Sequence, residues 1–306
     1  MKYLITLFLL SLTPALLASQ PHELRYHEHG FHADWFEADE DHGKLMIVYG
    51  GSEGGNRFGN DWAPELNQRG FHVLSIAYFN ADGLPGQLEL IPLEHLDAAL
   101  RWVDEQNPDI RVRFIAGVSK GAEKALIQAE RLNVFDGVIA IAPSSVAWQS
   151  INQQDFMSRR SSWSLNGEPV DFLEYDYSQG WTDIFTFYNG ALDNSEKAAK
   201  ARIKAEHINA PLLLISGSDD KLWPAARMSE AIVELRKKSD NKYPVYHKNI
   251  PDAGHMLFIP GITGTDSIDD MSFQFLGGSR EKLVEHVGEV SRVIYGFLDE
   301  YGASED

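Results

Sequence analysis

The sequence predicts an α/β fold: a doubly wound, mostly parallel sheet with helices on both faces. Two observations carry this. Short apolar runs that end in glycine alternate with longer stretches of helical periodicity, and strands separated by helices require right-handed crossovers within one sheet. The 306 residues are 43% hydrophobic and 24% charged, near the globular average, so a packed core is expected.

Residues 1–19 read as an address rather than structure. Met1-Lys2 gives a positive start, residues 4–12 are apolar, and residues 14–19 end in small side chains, the three parts of an export leader. Cleavage is expected after Ala18 or Ser19. No later stretch is apolar for long enough to span a bilayer. The expectation is therefore an exported chain, periplasmic or secreted, with no stable membrane span once the leader is removed.

Residues 24–29 and 31–36 read as a hairpin around Gly30. Residues 44–49 (KLMIVY) are a buried strand, 61–69 a helix closed by Gly70, and 71–77 (FHVLSIA) the next strand. Residues 92–105 place Leu93, Leu96, Ala99, Leu100 and Val103 on one helical face. A strand at 112–116, a helix at 120–132 and a strand at 137–142 follow. The alternation resumes with 212–216, 227–238, 245–250 and 280–301. Between them, residues 144–209 hold Trp148, Trp163 and Trp181 with weak periodicity, which reads as a lid over an apolar substrate inside a single domain of 20–306. Trp148, Trp163, Trp181 and Trp223 are expected chiefly as packing residues.

Composition removes whole classes of function. Lys plus Arg number 27 against 45 Asp plus Glu, a net charge of −18, the wrong sign for neutralising phosphates, so nucleic acid is not an expected partner. With no cysteine, disulfides, cysteine-ligated zinc, iron–sulfur clusters and a cysteine nucleophile are all excluded.

The chemistry begins at Gly117-Val118-Ser119-Lys120-Gly121, between a strand and a helix. A serine at such a junction sits on a strained turn with its hydroxyl clear of the sheet, and the helix N-terminus favours developing negative charge. Gly50-Gly51-Ser52-Glu53-Gly54 fits the same pattern, but Gly54, Gly55 and Gly59 come after it, so no helix is expected at once. Its expected role is to offer a backbone amide of Gly51 or Ser52 to an oxyanion, beside the amide of Lys120. A dinucleotide reading of these glycines needs an acidic residue roughly 20 positions on, where Ser75-Ile76-Ala77 stand. No cofactor and no metal is expected.

A serine nucleophile on this kind of sheet is followed by an acid and then a histidine. Asp220, in Gly217-Ser218-Asp219-Asp220, is the expected acid, with Asp219 as the alternative. His255, in Ala253-Gly254-His255, is the expected base, and His247 reads as structural. His22, His27, His29, His32 and His42 cluster near the N-terminus, His27 and His29 on one face of a strand, and read as exposed hairpin residues. Lys120 pairs with Glu123, contacts an acyl-carrier group or is solvated, and Glu123 reads as a first-turn carboxylate.

Gly117-Val118-Ser119-Lys120-Gly121-Ala122-Glu123 resembles the nucleophile motif of the acyl-CoA thioesterase and bile acid-CoA:amino acid N-acyltransferase family. Tyr49–Gly55, Gly70–Pro85, Gly217–Trp223, Ala253–His255 and Gly277-Gly278 are similar to its other motifs, so the match runs from about Lys44 onward. The resemblance implies an α/β-hydrolase domain with Ser119 as nucleophile, Asp220 as acid and His255 as base. Longer members carry an N-terminal β-sandwich domain where residues 20–43 stand here. The acyltransferase members use cysteine as nucleophile, so Ser119 implies hydrolysis. The expected substrate is a small acyl thioester or ester. The alternatives are an exported carboxylesterase or peptidase with no use for coenzyme A, and a non-catalytic binding module on the same fold. The sequence gives no oligomeric state.

Overall fold

A computed structural model describes residues 20–303, apart from 156, 179, 181, 182 and 267. The leader and Trp181 lie outside the described residues. The main-sheet strands are β1 (His22–Leu24), β2 (His32–Phe36), β3 (Lys44–Tyr49), β4 (Phe71–Ala77), β6 (Val112–Val118), β7 (Gly137–Ile141), β10 (Leu212–Gly217) and β11 (Val245–Ile250); the short β5 (Ile91–Pro92), β8 (Trp163–Leu165) and β9 (Glu168–Pro169) form a second sheet. The helices are α1 (Tyr26–His29), α2 (Arg57–Asn67), α3 (His95–Gln106), α4 (Lys120–Leu132), α5 (Ile184–Ala191), α6 (Ser195–Lys200), α7 (Ala225–Lys238), α8 (Asp270–Leu276) and α9 (Arg280–Tyr301).

The main sheet runs β1-β2-β4-β3-β6-β7-β10-β11. Neighbours from β4 to β11 are parallel, while β1 pairs with β2 and β2 with β4 antiparallel. Strand periodicity splits each run between two cores. Leu45, Ile47 and Tyr49 of β3 face α3 and α4, whereas Met46 and Val48 face α2 and α9. Helices thus cover both faces, as the alternation predicts.

Three elements differ from expectation. β1 and β2 do pair as a hairpin, but Tyr26–His29 between them is one helical turn, closed by the Gly30 amide donating to the Tyr26 carbonyl at 2.8 Å with Gly30 at φ 75°. Glycine serves there as a helix cap, and His27 and His29 do not share a strand face. The second difference is that α2 begins at Arg57 and includes Gly59 and Pro64. A Cβ on Gly59 would lie 2.3 Å from Ser75 Oγ, so that glycine admits close packing on β4 instead of marking a break. The third is at Pro92, expected to open a helix, which instead belongs to β5 and pairs with β8 of the 144–209 segment, the helix beginning at His95.

Among the described residues no helix is long and apolar enough to cross a membrane. Register brings the functional loops to one edge. Tyr49 lies opposite Gly117, Gly117 opposite Ala140, and Gly217 opposite Ile250, so the loops after β3, β6, β10 and β11 emerge together at the C-terminal ends of parallel strands.

Candidate active site

Ser119 occupies the turn between β6 and α4 with φ 54° and ψ −121°, a conformation that side-chain-bearing residues rarely adopt. Its amide donates to the Ile141 carbonyl at 2.8 Å, fixing the turn to β7. The flanking glycines are needed for space. A Cβ on Gly117 would lie 2.2 Å from the Gly121 carbonyl oxygen, and one on Gly121 would lie 2.1 Å from that of Gly50. This second contact joins the two G-x-S-x-G segments directly.

The Gly50–Gly54 loop is held from below by Tyr78, whose hydroxyl lies 3.0 Å from the Gly50 carbonyl oxygen and 2.5 Å from that of Gly51. One expectation is corrected here. The Gly51 amide already donates to Glu53 Oε1 at 2.8 Å, so it is not a free donor. Ser52 has an exposed side chain, and its amide has no partner among the described residues. The Lys120 amide, at the first position of α4, has none either. A Cβ on Gly51 would lie 3.4 Å from Ser119 Cβ, so the loop abuts the serine.

After β10, Asp220 and Asp219 are separated by what they touch. Asp220 is 7% exposed; His255 Nδ1 donates to its Oδ2 at 2.8 Å, and the Leu222 and Trp223 amides donate to its Oδ1 at 2.9 and 3.1 Å. Asp219 points elsewhere, accepting the Gly278 amide at 2.8 Å. Gly277, at φ 77°, packs so closely that a Cβ there would lie 1.7 Å from the Asp219 carbonyl oxygen. The Gly277-Gly278 pair therefore clamps the acid loop against the histidine loop. The His255 amide donates to the Leu276 carbonyl at 2.7 Å, and the His255 ring meets Trp223 edge-on at 5.8 Å.

With Nδ1 engaged by Asp220, His255 Nε2 is buried and has no hydrogen-bond partner among the described residues; it makes no bond to Ser119 in this geometry. Hydrogen bonds of this kind are often long in a ligand-free site. A cavity of about 380 Å³ opens over Ser52, Ser119 and Lys120, and its far wall includes Tyr175, Phe187, Tyr188 and Trp223. Trp148 and Trp163 are fully buried packing residues, as expected, but Trp223 also lines this cavity. Periodicity does not single out the tyrosines and Phe187 of the 144–209 segment. Their signal in the sequence is the aromatic density of 172–188, more than the tryptophans that stand out by eye.

Behind Ser119 lies a buried ion pair. Lys120 Nζ donates to Glu123 Oε2 at 2.7 Å with both side chains almost wholly enclosed. Glu123 Oε1 accepts the Trp148 amide at 2.9 Å and Trp163 Nε1 at 2.6 Å. Burial pushes the Glu123 carboxyl up and the Lys120 ammonium down, and their mutual attraction opposes both shifts. Lys120 is therefore not solvated, and Glu123 is more than a first-turn carboxylate: it ties α4 to the 144–209 segment.

His247 sits on β11 with its Nε2 2.8 Å from Ser216 Oγ, away from His255. The N-terminal histidines do not converge on one point: His27 lies 3.3 Å from the Asp82 carboxylate, His32 bonds Arg25 and the Asp82 carbonyl, and His22 packs on Trp102. His32 is buried, contrary to the expectation of an exposed hairpin residue. Among the described residues no group of three or more His, Asp or Glu side chains is arranged to hold a metal ion.

Comparison with known proteins bears on this site. Residues 91–269 match the family described as BAAT / acyl-CoA thioester hydrolase C-terminal. The chain is 26% identical over 196 residues to the mouse peroxisomal succinyl-coenzyme A thioesterase, covering 62% of this chain and 44% of that protein. It is 27% identical over 224 residues to the mouse bile acid-CoA:amino acid N-acyltransferase, covering 71% of this chain and 49% of the relative. The chain thus spans about half the length of these relatives or less. Among solved structures, it superposes on an acylaminoacyl peptidase of Pyrococcus horikoshii with a TM-score of 0.56 at 13% identity, covering 93% of this chain and 42% of that one. An esterase of Pyrococcus furiosus gives 0.51 at 15% identity, covering 93% of each chain. The fold is that of the α/β-hydrolases.

Proposed function

We propose the function from one premise: the chain belongs to the BAAT / acyl-CoA thioester hydrolase C-terminal family. On our reading it is a serine hydrolase that cleaves acyl thioesters or esters, with Ser119 as nucleophile, His255 as base and Asp220 as orienting acid. The observation that carries this is the 2.8 Å bond from His255 Nδ1 to Asp220, on the same strand edge as a serine held at positive φ.

In the proposed reaction His255 Nε2 takes the proton of Ser119 Oγ as that oxygen attacks the acyl carbonyl. The amides of Lys120 and Ser52 stabilise the oxyanion, assisted by the N-terminus of α4. His255 then gives the proton to the departing thiol or alcohol. Water, activated by the same nitrogen, hydrolyses the acyl-serine and restores the starting state. Asp220 fixes the ring through Nδ1 while the Leu222 and Trp223 amides fix Asp220. The 144–209 segment acts as the lid that walls the acyl pocket.

The test is covalent labelling with a fluorophosphonate probe, then turnover of a panel of thioesters and esters. Labelling at Ser119 with hydrolysis of either class is the expected result; labelling at Ser52, or none alongside a folded chain, overturns the reading. We also propose export, supported by the leader pattern of residues 1–19. Cell fractionation with N-terminal mass analysis checks it, and an intact leader on cytoplasmic protein would reject it.

A further inference from the structure

Of the two amides expected to turn from the glycine loop toward Ser119, that of Gly51 is held by Glu53, and that of Ser52 has no partner among the described residues. A buried tyrosine stands behind the second. We infer that Tyr78 is a positioning residue of the oxyanion site: its hydroxyl fixes the Gly51–Ser52 peptide so that the Ser52 amide faces the reacting carbonyl. This rests on the hydrolase reading above, in which that amide stabilises the oxyanion.

A trans peptide is planar, with its C=O and N–H on opposite sides, so whatever fixes one aims the other. The Gly51 carbonyl belongs to the same peptide as the Ser52 amide, and its oxygen lies 2.5 Å from the Tyr78 hydroxyl. Holding that oxygen toward Tyr78 turns the Ser52 N–H to the other side. Ser52 borders the cavity there with Ser119 and Lys120, and a Cβ on Gly51 would lie 3.4 Å from Ser119 Cβ. The preceding peptide is held in the same way. Its Gly50 carbonyl oxygen lies 3.0 Å from the same hydroxyl, and its Gly51 amide goes to Glu53. Glycine at 51 restrains the rotation of the next peptide only weakly, so the restraint must come from a partner.

Tyr78 is itself placed by its neighbours. Its ring is fully buried and meets Tyr49 edge-on at 5.8 Å, Phe79 at 5.3 Å and Trp163 at 5.5 Å. Trp163 Nε1 donates to Glu123 on α4, the helix whose first residue carries the Lys120 amide. The two proposed oxyanion donors thus share one support. Burial holds the phenol well above its usual pKa, with Glu53, Glu123 and Tyr49 adding to the effect, so the hydroxyl stays a donor. Without it, the Gly51 carbonyl would face a ring edge that donates nothing. An enclosed acceptor left unpaired favours rotation of its peptide toward the open cavity. An acceptor would then stand where the Ser52 N–H had been, and it would repel the oxyanion.

The experiment compares an inhibitor that forms an oxyanion with one that cannot. Ser119 Oγ adds to the carbonyl carbon of an alkyl trifluoromethyl ketone, its proton passing to His255 and the C=O pair becoming the oxyanion. The matching trifluoromethyl carbinol has the same chain and no carbonyl. Tyr78→Phe should raise the Ki of the ketone at least about thirtyfold and lower kcat similarly, with KM and the carbinol Ki within about threefold. Loss of folded enzyme moves neither Ki. Ser52→Pro deletes the amide at an exposed position and should reproduce the loss, and joining it to Tyr78→Phe should add less than about threefold. Tyr49→Phe removes a neighbouring buried hydroxyl that has no hydrogen-bond partner among the described residues, and should leave kcat and both Ki values within about threefold. An unchanged ketone Ki in Tyr78→Phe, equal losses for ketone and carbinol, losses that multiply in the double variant, or an equal loss in Tyr49→Phe each overturns the inference and leaves the hydrolase reading standing. A parent that binds the ketone no tighter than the carbinol, or turnover surviving in Ser119→Ala, would sink the underlying reading instead.

Discussion

The molecule contains the same five-residue pattern twice, and the two copies are built differently. At Gly117–Gly121 the serine is 6% exposed, held at φ 54°, and leads at once into a helix of 13 residues. At Gly50–Gly54 the serine is exposed, the helix waits until Arg57, and the loop's own Glu53 folds back onto the Gly51 amide. The copies touch where Gly121 meets the Gly50 carbonyl. The pattern is shared, and the chain immediately downstream separates the two copies. A helix start converts a glycine-flanked serine into a strained, dipole-supported group, whereas a run of glycines leaves a loop of backbone donors. On the proposed reading, the second segment serves the first.

The sharpest way to break this comparison is to delete each hydroxyl. Ser119→Ala should abolish fluorophosphonate labelling and lower turnover by about 10⁴ to 10⁶. Ser52→Ala keeps its amide and should cost less than about tenfold. Steady-state rates on one activated ester measure both, and a dead Ser52→Ala beside an active Ser119→Ala would exchange the two roles.

Next in size is the pair of adjacent carboxylates. Asp220→Asn should lower kcat by about 10³ to 10⁴, because an amide nitrogen facing His255 Nδ1 favours the wrong tautomer. Asp219→Asn keeps an oxygen for the Gly278 amide and should leave kcat within a few-fold, with a loss of stability of about 1 kcal/mol. Equal losses of kcat would make the loop a purely structural unit.

These positions are legible in the sequence for a reason. The boundaries of β3, β4, α4 and α9 can be read directly because each is a short apolar run or an amphipathic face ended by local signals, and β11 is marked off by Pro244 and Pro251 on either side. Ser119, Asp220 and His255 sit within a few residues of such strand ends, so locating the strands locates them. The 144–209 segment is illegible because it is held from far away. Trp148 and Trp163 both bond Glu123, and β8 pairs with Ile91–Pro92, contacts that no local periodicity encodes. Glu123 itself reads as an ordinary first-turn acid, since burial of a carboxylate is a tertiary fact. Gly59 and Gly30 mislead for a related reason: one glycine makes room for a neighbour, the other caps a helical turn, and both resemble a break.

Glu123 offers the third test, on the framework behind the serine and not the serine itself. Glu123→Gln preserves an acceptor for Trp163 but leaves the enclosed Lys120 ammonium without its counter-charge. Removing one partner of a buried pair typically costs about 3 to 5 kcal/mol. Urea unfolding should report that loss, and a change below about 1 kcal/mol would mean that Lys120 finds water or another acceptor.

The smallest effect concerns the next residue, Lys124, which lies beneath both loops. Its ammonium has no hydrogen-bond partner among the described residues and stands 5.5 Å from the ring centres of Tyr49 and Tyr78 and 4.9 Å from that of Trp163. Tyr49 leads into the Gly50 loop and Tyr78 holds its carbonyls, so Lys124 fills the space under the contact between the two segments. Burial pushes its pKa down to about 7, Arg131 adds to that, and Glu94 opposes it. The ring faces also oppose it by attracting the cation. Linkage gives the sign. Below about pH 7 both folded and unfolded chains carry the proton, and the full cost of enclosing the ammonium is present. From there up to about 10.5 the unfolded chain binds a proton that the folded one has released, so stability rises with pH. Lys124→Met, of similar shape and uncharged, should therefore be more stable than the parent by about 1 kcal/mol or more at pH 6, with the gap closing as pH rises toward 10. Comparing parent and variant at each pH cancels the titration of all other groups. A variant less stable than the parent at pH 6 would show that the three ring faces outweigh desolvation, and that the lysine is held charged between the two loops.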